Sequence, residues 1–248
     1  ISEAELIKIA IKSMGLDELG TFNPQERIIE YLLANPADSK LVSMKLTDFA
    51  NLTASESVAP GGGSISAYVA ALGISLGTMV ANLSSHKRGW DERWEEFSDW
   101  AEQGEQHKNE LLRLVDADTA AFNKIMEAFA LPKTTDEEKK QRKQAIQEAT
   151  KYAIEIPFSV MQVSFKSMAI IKAMVQTGNP NSITDAGVGA LCARSAIIGA
   201  FMNVKVNSLD YEDKIFTNEI IAKGEKIQDQ AIALEAEIIE IVNQKFGL

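Results

Sequence analysis

Residues 111–129 read LLRLVDADTAAFNKIMEAF, and the spacing of their apolar side chains indicates the fold class. At about 100° per residue, one stripe of a helical wheel runs through Leu111, Val115, Phe122, Ile125 and Phe129. Apolar residues recur at three and four along almost the whole chain, and no run alternates with the period of two typical of strands. The sequence therefore predicts an all-α protein, a bundle of long helices.

The two aspartates of this stretch fall on different faces of the predicted helix. Asp118 lies within roughly 20° of the centre of the apolar stripe, whereas Asp116 lies on the polar side and is expected to face solvent. A carboxylate that faces a core must find hydrogen-bond partners, border a cavity, or bind a proton through a raised pKa. Asp118 is therefore a candidate general acid and base, and a purely structural buried carboxylate is the alternative.

A second candidate feature is APGGGS at residues 59–64, just before an apolar helix predicted at residues 64–84. Consecutive glycines permit positive φ and let a ligand approach backbone N–H groups, next to a helix N-terminus that favours negative charge. Ser64 is a candidate N-cap of that helix. The stretch lacks the Lys-Ser/Thr pair of a Walker loop and the context of a dinucleotide fingerprint. A ligand-binding loop and a flexible linker both remain open.

Three further sets of polar residues are candidates for binding. Lys87 and Arg88 form a basic pair after the glycine-rich helix, which suits either an anionic group or plain solvation. SITD at residues 182–185 fits a capping box. Asn203 and Asn207 lie one turn apart on an otherwise apolar helix, so both could line a polar cleft.

Cap and breaker residues outline other helices. Asn23, followed by proline, is placed to begin one helix, and residues 34–40 are the best candidate linker after it. Thr135 with Glu138 predicts a capping box. Pro157 lies inside a helical pattern, so a kink is expected there.

Residues 65–83 carry no charge and approach the length of a membrane span. They are only weakly hydrophobic, and Gly73, Gly77 and Ala81 form a stripe of small residues on which another helix can pack closely. We interpret this segment as a buried helix of a soluble protein and expect no association with a membrane.

Charge and cysteine content narrow the classes of function. A net charge of −10 argues against a nucleic-acid or membrane-surface binder, which needs a basic face. The single Cys192 cannot form an internal disulfide, which favours a cytoplasmic setting. His86 and His107 are too few and too far apart for a recognisable metal site. Because the chain begins at Ile1 and not at Met, we expect a processed product or a piece of a longer protein.

Taken in order, these motifs resemble the formiminotetrahydrofolate cyclodeaminase family, which also includes methenyltetrahydrofolate cyclohydrolases. The resemblance covers about residues 45–245 and rests on APGGGS at 59–64, LVDAD at 114–118, AF at 121–122, LPK at 131–133, EEK at 137–139, GN at 178–179, Asp185, GA at 199–200, Asn203 and Asn207. Each motif alone is weak, but the ordered set is specific.

The first residues resemble the segment that joins a formiminotransferase domain to the cyclodeaminase in a bifunctional enzyme. FNP at 22–24 and ERIIEYL at 26–32 carry this likeness. We therefore expect a helical linker segment at residues 1–40, an all-α cyclodeaminase domain at residues 41–248, and a formiminotransferase domain fused upstream.

The resemblance also implies an activity and a site. The family converts 5-formiminotetrahydrofolate to 5,10-methenyltetrahydrofolate and ammonia, a step of histidine degradation that needs no cofactor and no metal. It implies a homodimer or larger homo-oligomer with the folate cleft at or near the subunit interface. It implies Asp118 as the catalytic residue, and a substrate site formed by Pro60, Gly61, Gly62, Gly63, Ser64, Lys87, Arg88, Asp185, Asn203 and Asn207.

Two other functions stay open at this point. A 5,10-methenyltetrahydrofolate cyclohydrolase reacts the same carbon and N10, so it could use the same site. A non-catalytic module that binds folate or holds an oligomer together would also fit the small-residue stripe and the acidic surface, but it has no need of a carboxylate on an apolar stripe.

Overall fold

The computed structural model describes residues 3–18, 20–33 and 41–247, and the predicted linker at residues 34–40 lies outside them. The described residues form nine α-helices and no strand, which confirms the all-α prediction. In chain order the helices are α1 (Glu3–Ser13), α2 (Pro24–Arg27), α3 (Ile29–Leu33), α4 (Leu46–Thr53), α5 (Gly62–Ser85), α6 (Trp94–Ala130), α7 (Asp136–Thr177), α8 (Ile183–Asn207) and α9 (Lys214–Phe246).

Helices α5 to α9 build the bundle around one core, whose members come from residues 41–242. α5 packs on α6 and α8, while α7 packs on α6, α8 and α9. A Cβ atom on Gly73 would lie 2.9 Å from the carbonyl oxygen of Gly189, and one on Gly189 would lie 2.7 Å from the carbonyl oxygen of Gly73. The backbones of α5 and α8 therefore touch, which confirms the predicted close packing on the small-residue stripe.

Two of the predicted caps are confirmed. Thr135 Oγ1 accepts a hydrogen bond from the Glu138 backbone N–H at 3.2 Å, and the Glu138 carboxylate accepts one from the Thr135 N–H at 2.8 Å. At α2, Asn23 Oδ1 accepts from the Gln25 N–H at 3.2 Å. These side chains satisfy donors that the first turn of a helix leaves free.

The capping box predicted at residues 182–185 is wrong. Ser182 is the N-cap of α8, but its side chain makes no capping bond. The chain enters α8 from a short 3-10 helix, Pro180–Ser182, in which the Ser182 N–H already bonds the Asn179 carbonyl oxygen at 3.0 Å. Because that turn leads directly into the helix, preceding carbonyls can take the first N–H groups.

The buried face of α6 is rotated from the predicted stripe by roughly 60° at 100° per residue. Leu111 and Val115 are fully buried, but Phe129 is 51% exposed. The buried residues that lie to one side of the stripe are Leu114, Ala117, Ala121 and Ala128. Asp118 is half-buried and lies within this face, roughly 40° from its centre at 100° per residue.

In the part of the chain that the structure describes, three helical segments are long and apolar enough to cross a membrane, by length and composition alone: α5, α7 and Pro180–Ser208. In the bundle, 61% of the apolar window of α5 is buried, and 50% of the windows of the other two. This burial favours the interpretation of residues 65–83 as a packed helix. α5 still exposes an outer face that carries Leu72, Met79 and Leu83.

Candidate active site

Asp118 lies on α6, where the first turn of α5 abuts it. Ser64 is fully buried, and its hydroxyl donates towards Asp118 Oδ2 at 2.9 Å and the Val115 carbonyl oxygen at 3.0 Å. The Ser64 backbone N–H also bonds the Asp118 carboxylate. The carboxylate thus caps α5 from a neighbouring helix, at the end where the helix dipole favours negative charge.

The glycine turn is part of α5 and differs from the prediction. The helix begins at Gly62, so Gly61 is the N-cap and Ser64 is not. None of the three glycines has positive φ. A Cβ atom on Gly63 would lie 2.7 Å from Asp118 Oδ2 and closer still to Oδ1. Gly63 is therefore needed for the close approach of α6, not for an unusual backbone conformation.

Burial raises the pKa of Asp118 above its ordinary value, and the hydrogen bonds from Ser64 only partly oppose the rise. Because the carboxyl is also a wall of a cavity, it can reach a bound ligand. A carboxyl in this setting can hold a proton and pass it on, which is what a general acid and base must do.

Asp116 has a structural role, and the prediction that it faces solvent is wrong. It is half-buried, and its Oδ1 accepts a hydrogen bond from the Leu41 N–H at 2.9 Å. Burial raises its pKa, while the backbone N–H groups of Leu41 and Val42 oppose the rise. Asp116 therefore anchors the chain before α4 to α6.

A cavity of about 130 Å³ lies between α5, α6, α7 and α8. It is well below the roughly 300–1,000 Å³ of a site that encloses a drug-sized ligand. Pro60 and Ser64 are buried beside it. Six predicted site residues line it: Gly61, Gly62, Gly63, Asp118, Asn203 and Asn207.

The two asparagines have their amide nitrogens bonded to backbone carbonyls. Asn203 Nδ2 donates to the Gly199 oxygen at 2.9 Å, and Asn207 Nδ2 donates to the Ala153 oxygen at 2.7 Å. With Asp118, they give the cavity a wall rich in hydrogen-bond acceptors. Such a wall suits a ligand that carries several N–H groups.

Lys87 and Arg88 lie at the other end of α5. The helix has 24 residues, so its ends are about 36 Å apart at 1.5 Å per residue. Lys87 Nζ stacks over the Trp90 ring, 4.0 Å from its centroid, and Arg88 is exposed. Within one subunit, the structure does not bring this basic pair to the cavity.

Asp185 also lies at that far end. It occupies the first turn of α8, just after the Asn179 N–H bonds Ser84 Oγ at 2.8 Å near the end of α5. Since Asn203 lies 18 residues further along α8, Asp185 is about 27 Å from the cavity. The predicted site residues therefore form two groups, one at each end of the bundle.

Sequence reasoning missed two neighbours of Asp118. Thr119 Oγ1 lies 3.3 Å from Ser64 Oγ, and Ala153 of α7 lines the cavity. Pro157, four residues after Ala153, was the one signal that could have pointed to that part of α7, because it leaves the Ala153 carbonyl without its helical donor.

A larger open groove, about 480 Å³, lies between α6 and α7. Lys124, Glu127, Glu148 and Tyr152 line it, and Lys124 Nζ stacks 4.2 Å from the Tyr152 ring centroid. Asp118 does not contribute to it. Among the residues that the structure describes, no cluster of three or more His, Cys, Asp and Glu side chains could hold a metal ion.

Fold and site together define an all-helical protein with a small, acceptor-rich cavity around one half-buried carboxylate. Residues 45–226 match the family model described as formiminotransferase-cyclodeaminase, and residues 1–34 match the model of the formiminotransferase domain. The chain belongs to the formiminotransferase-cyclodeaminase family, which confirms the resemblance.

Two relatives of this chain are named for different enzymatic reactions. Formimidoyltransferase-cyclodeaminase of Gallus gallus is 35% identical over 246 residues, 99% of this chain and 46% of that protein. The chain thus spans less than half the length of that relative. Methenyltetrahydrofolate cyclohydrolase of Methylorubrum extorquens is 35% identical over 192 residues, 77% of this chain and 92% of that protein.

A solved structure supports the fold. Formiminotetrahydrofolate cyclodeaminase from Thermotoga maritima superposes with a TM-score of 0.69 at 23% sequence identity, over 83% of this chain and 97% of that one. At this identity the likeness concerns the helical architecture alone.

Proposed function

We propose that this chain is a formiminotetrahydrofolate cyclodeaminase, which closes 5-formiminotetrahydrofolate to 5,10-methenyltetrahydrofolate and releases ammonia. The observation that carries the proposal is the Asp118 carboxyl, held by Ser64 in the cavity wall with a pKa raised by burial. Membership of the family, and the names of its relatives, support a folate as the substrate.

The chemistry needs one proton carrier. N10 attacks the carbon of the protonated formimino group, a C–N10 bond forms, and N10 loses its proton to the Asp118 carboxylate. Asp118 then gives that proton to the formimino nitrogen, the bond from carbon to this nitrogen breaks, and ammonia leaves. Atoms and charge balance, since a cationic substrate gives a cationic methenyl product and neutral ammonia. A carboxyl with a raised pKa suits both transfers.

The cavity encloses only part of such a substrate. Its acceptors suit the N–H groups of a pterin, and its volume of about 130 Å³ leaves the rest of a folate outside. We propose that a second copy of this chain completes the cleft, packed on the outer face of α5 (Leu72, Met79 and Leu83), which is apolar and exposed. An antiparallel copy would bring Lys87 and Arg88 of the partner subunit towards the glycine turn, where they could hold the anionic glutamate tail.

Breaking this face should separate the subunits. Leu72 is 47% exposed, and an aspartate there would be buried unpaired in the interface, so we expect Leu72→Asp to be monomeric and at least about tenfold less active. Sedimentation velocity and activity measure both effects. Ile232→Asp on α9, where the side chain is 39% exposed, is the matched control and should remain a dimer. A wild-type protein that sediments as a monomer would contradict the proposal.

Comparing two substrates distinguishes a cyclodeaminase from a cyclohydrolase. We expect kcat/KM for 5-formiminotetrahydrofolate to exceed that for 5,10-methenyltetrahydrofolate hydrolysis by about tenfold or more, because specificity is a ratio of these constants. The absorbance of 5,10-methenyltetrahydrofolate reports both reactions, since this compound is the product of the first and the substrate of the second. The reverse ratio would make the chain a cyclohydrolase, as its Methylorubrum extorquens relative is named. Binding of folate with neither activity would leave a non-catalytic module.

The setting of the reaction follows from the same proposal. The match of residues 1–34 to the formiminotransferase domain supports a transferase fused upstream, which would supply the formimino group during histidine degradation. We further propose that the reaction runs in the cytoplasm, without a cofactor or a metal.

A further inference from the structure

Pro157 lies inside α7, and the helix continues through it from Asp136 to Thr177. Proline has no backbone N–H, so the carbonyl of Ala153, four residues earlier, lacks its helical donor. Ala153 is buried and lines the cavity. A buried carbonyl without a partner is costly, so a donor from elsewhere is expected.

Asn207 of α8 supplies that donor across the contact between α7 and α8. Its Nδ2 lies 2.7 Å from the Ala153 carbonyl oxygen. A carbonyl oxygen can only accept, so the amide must turn its nitrogen to α7 and its Oδ1 the other way. Asn207 makes no other side-chain hydrogen bond within the described ranges, and it also lines the cavity.

We propose that Pro157 is a positioning residue for the ligand site. By leaving the Ala153 carbonyl free, it fixes the Asn207 amide so that Oδ1 is presented to the cavity as an acceptor. This inference rests on the proposed function, and it assigns Asn207 Oδ1 to an N–H or amino group on the edge of the pterin. Asn203 offers a second acceptor one turn away, but its amide bonds Gly199 of its own helix and is independent of Pro157.

A double-mutant cycle tests this coupling. We expect Pro157→Ala and Asn207→Ala each to weaken binding of 5-formyltetrahydrofolate by about three- to tenfold, the range for one neutral hydrogen bond. In Pro157→Ala the new backbone N–H at position 157 competes with Asn207 for the Ala153 carbonyl, so the Asn207 side-chain amide is no longer held in one orientation. The double variant should bind 5-formyltetrahydrofolate no more weakly than the single variant with the lower affinity. Both changes disrupt the same orientation of the Asn207 amide, so their effects should not add. KM should rise in parallel while kcat changes little.

The matched control uses the other asparagine. Asn203→Ala combined with Pro157→Ala should multiply the two single effects, since no shared bond joins them. Pro157→Ala should also raise the melting temperature, because proline is unfavourable inside a helix. A merely structural role for Pro157 predicts no change in affinity. Unchanged affinity in Pro157→Ala, or multiplied effects in Pro157→Ala with Asn207→Ala, would overturn the proposal.

A second measurement needs no turnover. In the free protein, hydrogen exchange of the Asn207 side-chain amide should be slow and should become faster in Pro157→Ala; equal exchange in both proteins would overturn the inference. If the wild type binds 5-formyltetrahydrofolate but converts no folate, the proposed function fails and the positioning pair stands. If it binds no folate, the assignment of Asn207 Oδ1 falls as well.

Discussion

Replacing Gly63 by alanine should lower kcat for ring closure by about 100- to 10,000-fold, the usual contribution of a positioned general acid and base. The added methyl group would collide with both oxygens of the Asp118 carboxylate, which Ser64 holds in place. The carboxyl is the end of a short side chain, so it can swing away without unfolding the bundle. Circular dichroism should therefore show unchanged helix content, while the methenyl absorbance shows the lost activity.

Gly61→Ala is the matched control for this change. The nearest atom to a Cβ there is the Val58 carbonyl oxygen at 4.0 Å, and Gly61 precedes the helix as its N-cap. Alanine is a poorer N-cap than glycine, so a modest loss of stability is expected; because Gly61 lines the cavity the change can alter KM, but kcat should stay close to wild type. If Gly63→Ala were as active as Gly61→Ala, the contact between Gly63 and Asp118 would have no part in catalysis.

Asp118→Asn should cause a loss of similar size in kcat, about 100- to 10,000-fold, because the amide cannot carry the proton from N10 to the departing nitrogen. The asparagine amide has nearly the shape of the aspartate carboxyl, so affinity for 5-formyltetrahydrofolate should stay within about threefold of wild type. Losing one neutral hydrogen bond can cost more affinity than that. Turnover and calorimetric titration measure the two effects. Equal kcat in the variant and the wild type would remove Asp118 from the mechanism.

The stability of Asp118→Asn gives an independent check. The pKa of Asp118 is raised in the folded protein, so the folded state binds the proton more tightly than the unfolded state. This contribution to the free energy of unfolding is largest at pH values below the ordinary pKa of 3.8 and is lost as the pH rises through the folded pKa. At pH values above the folded pKa the carboxyl is charged and its burial is destabilising, so Asp118→Asn should melt no lower than the wild type there.

The helical architecture could be predicted because local signals agreed with the tertiary packing. The Thr135 capping box and the contact of Gly73 with α8 both depend on residues visible in the sequence. The direction in which α6 presents its buried face was predicted less accurately. A helical wheel weights large apolar residues, but the closest packing in this helix uses small ones, such as Ala121 and Ala128, and Phe129 is left exposed.

The site could be predicted in part. Periodicity singled out Asp118, but it could not show that the glycine turn is helical or that Gly63 touches the carboxylate. Both depend on how closely α5 packs on α6, which the sequence does not give. The two aspartates illustrate the limit. Asp116, on the polar side, is half-buried because the chain at Leu41, 75 residues away in sequence, packs over it.

The order of motifs along the chain could not predict how far Lys87, Arg88 and Asp185 lie from the cavity. Their motifs stand beside those of the cavity in sequence, yet the length of α5 and α8 places them at the opposite end of the bundle. In the proposed dimer an antiparallel subunit would join the two groups, and their role in binding stays a prediction.

The central claim is that this chain closes the folate ring at Asp118, and one measurement tests it most directly. Wild-type protein and Asp118→Asn are each mixed with 5-formiminotetrahydrofolate, and ammonia and 5,10-methenyltetrahydrofolate are quantified in the same samples over time. We predict that the wild type releases both products in equal amounts and that Asp118→Asn releases both about 100- to 10,000-fold more slowly. Equal turnover by both proteins, or no ammonia from the wild type, would contradict the claim.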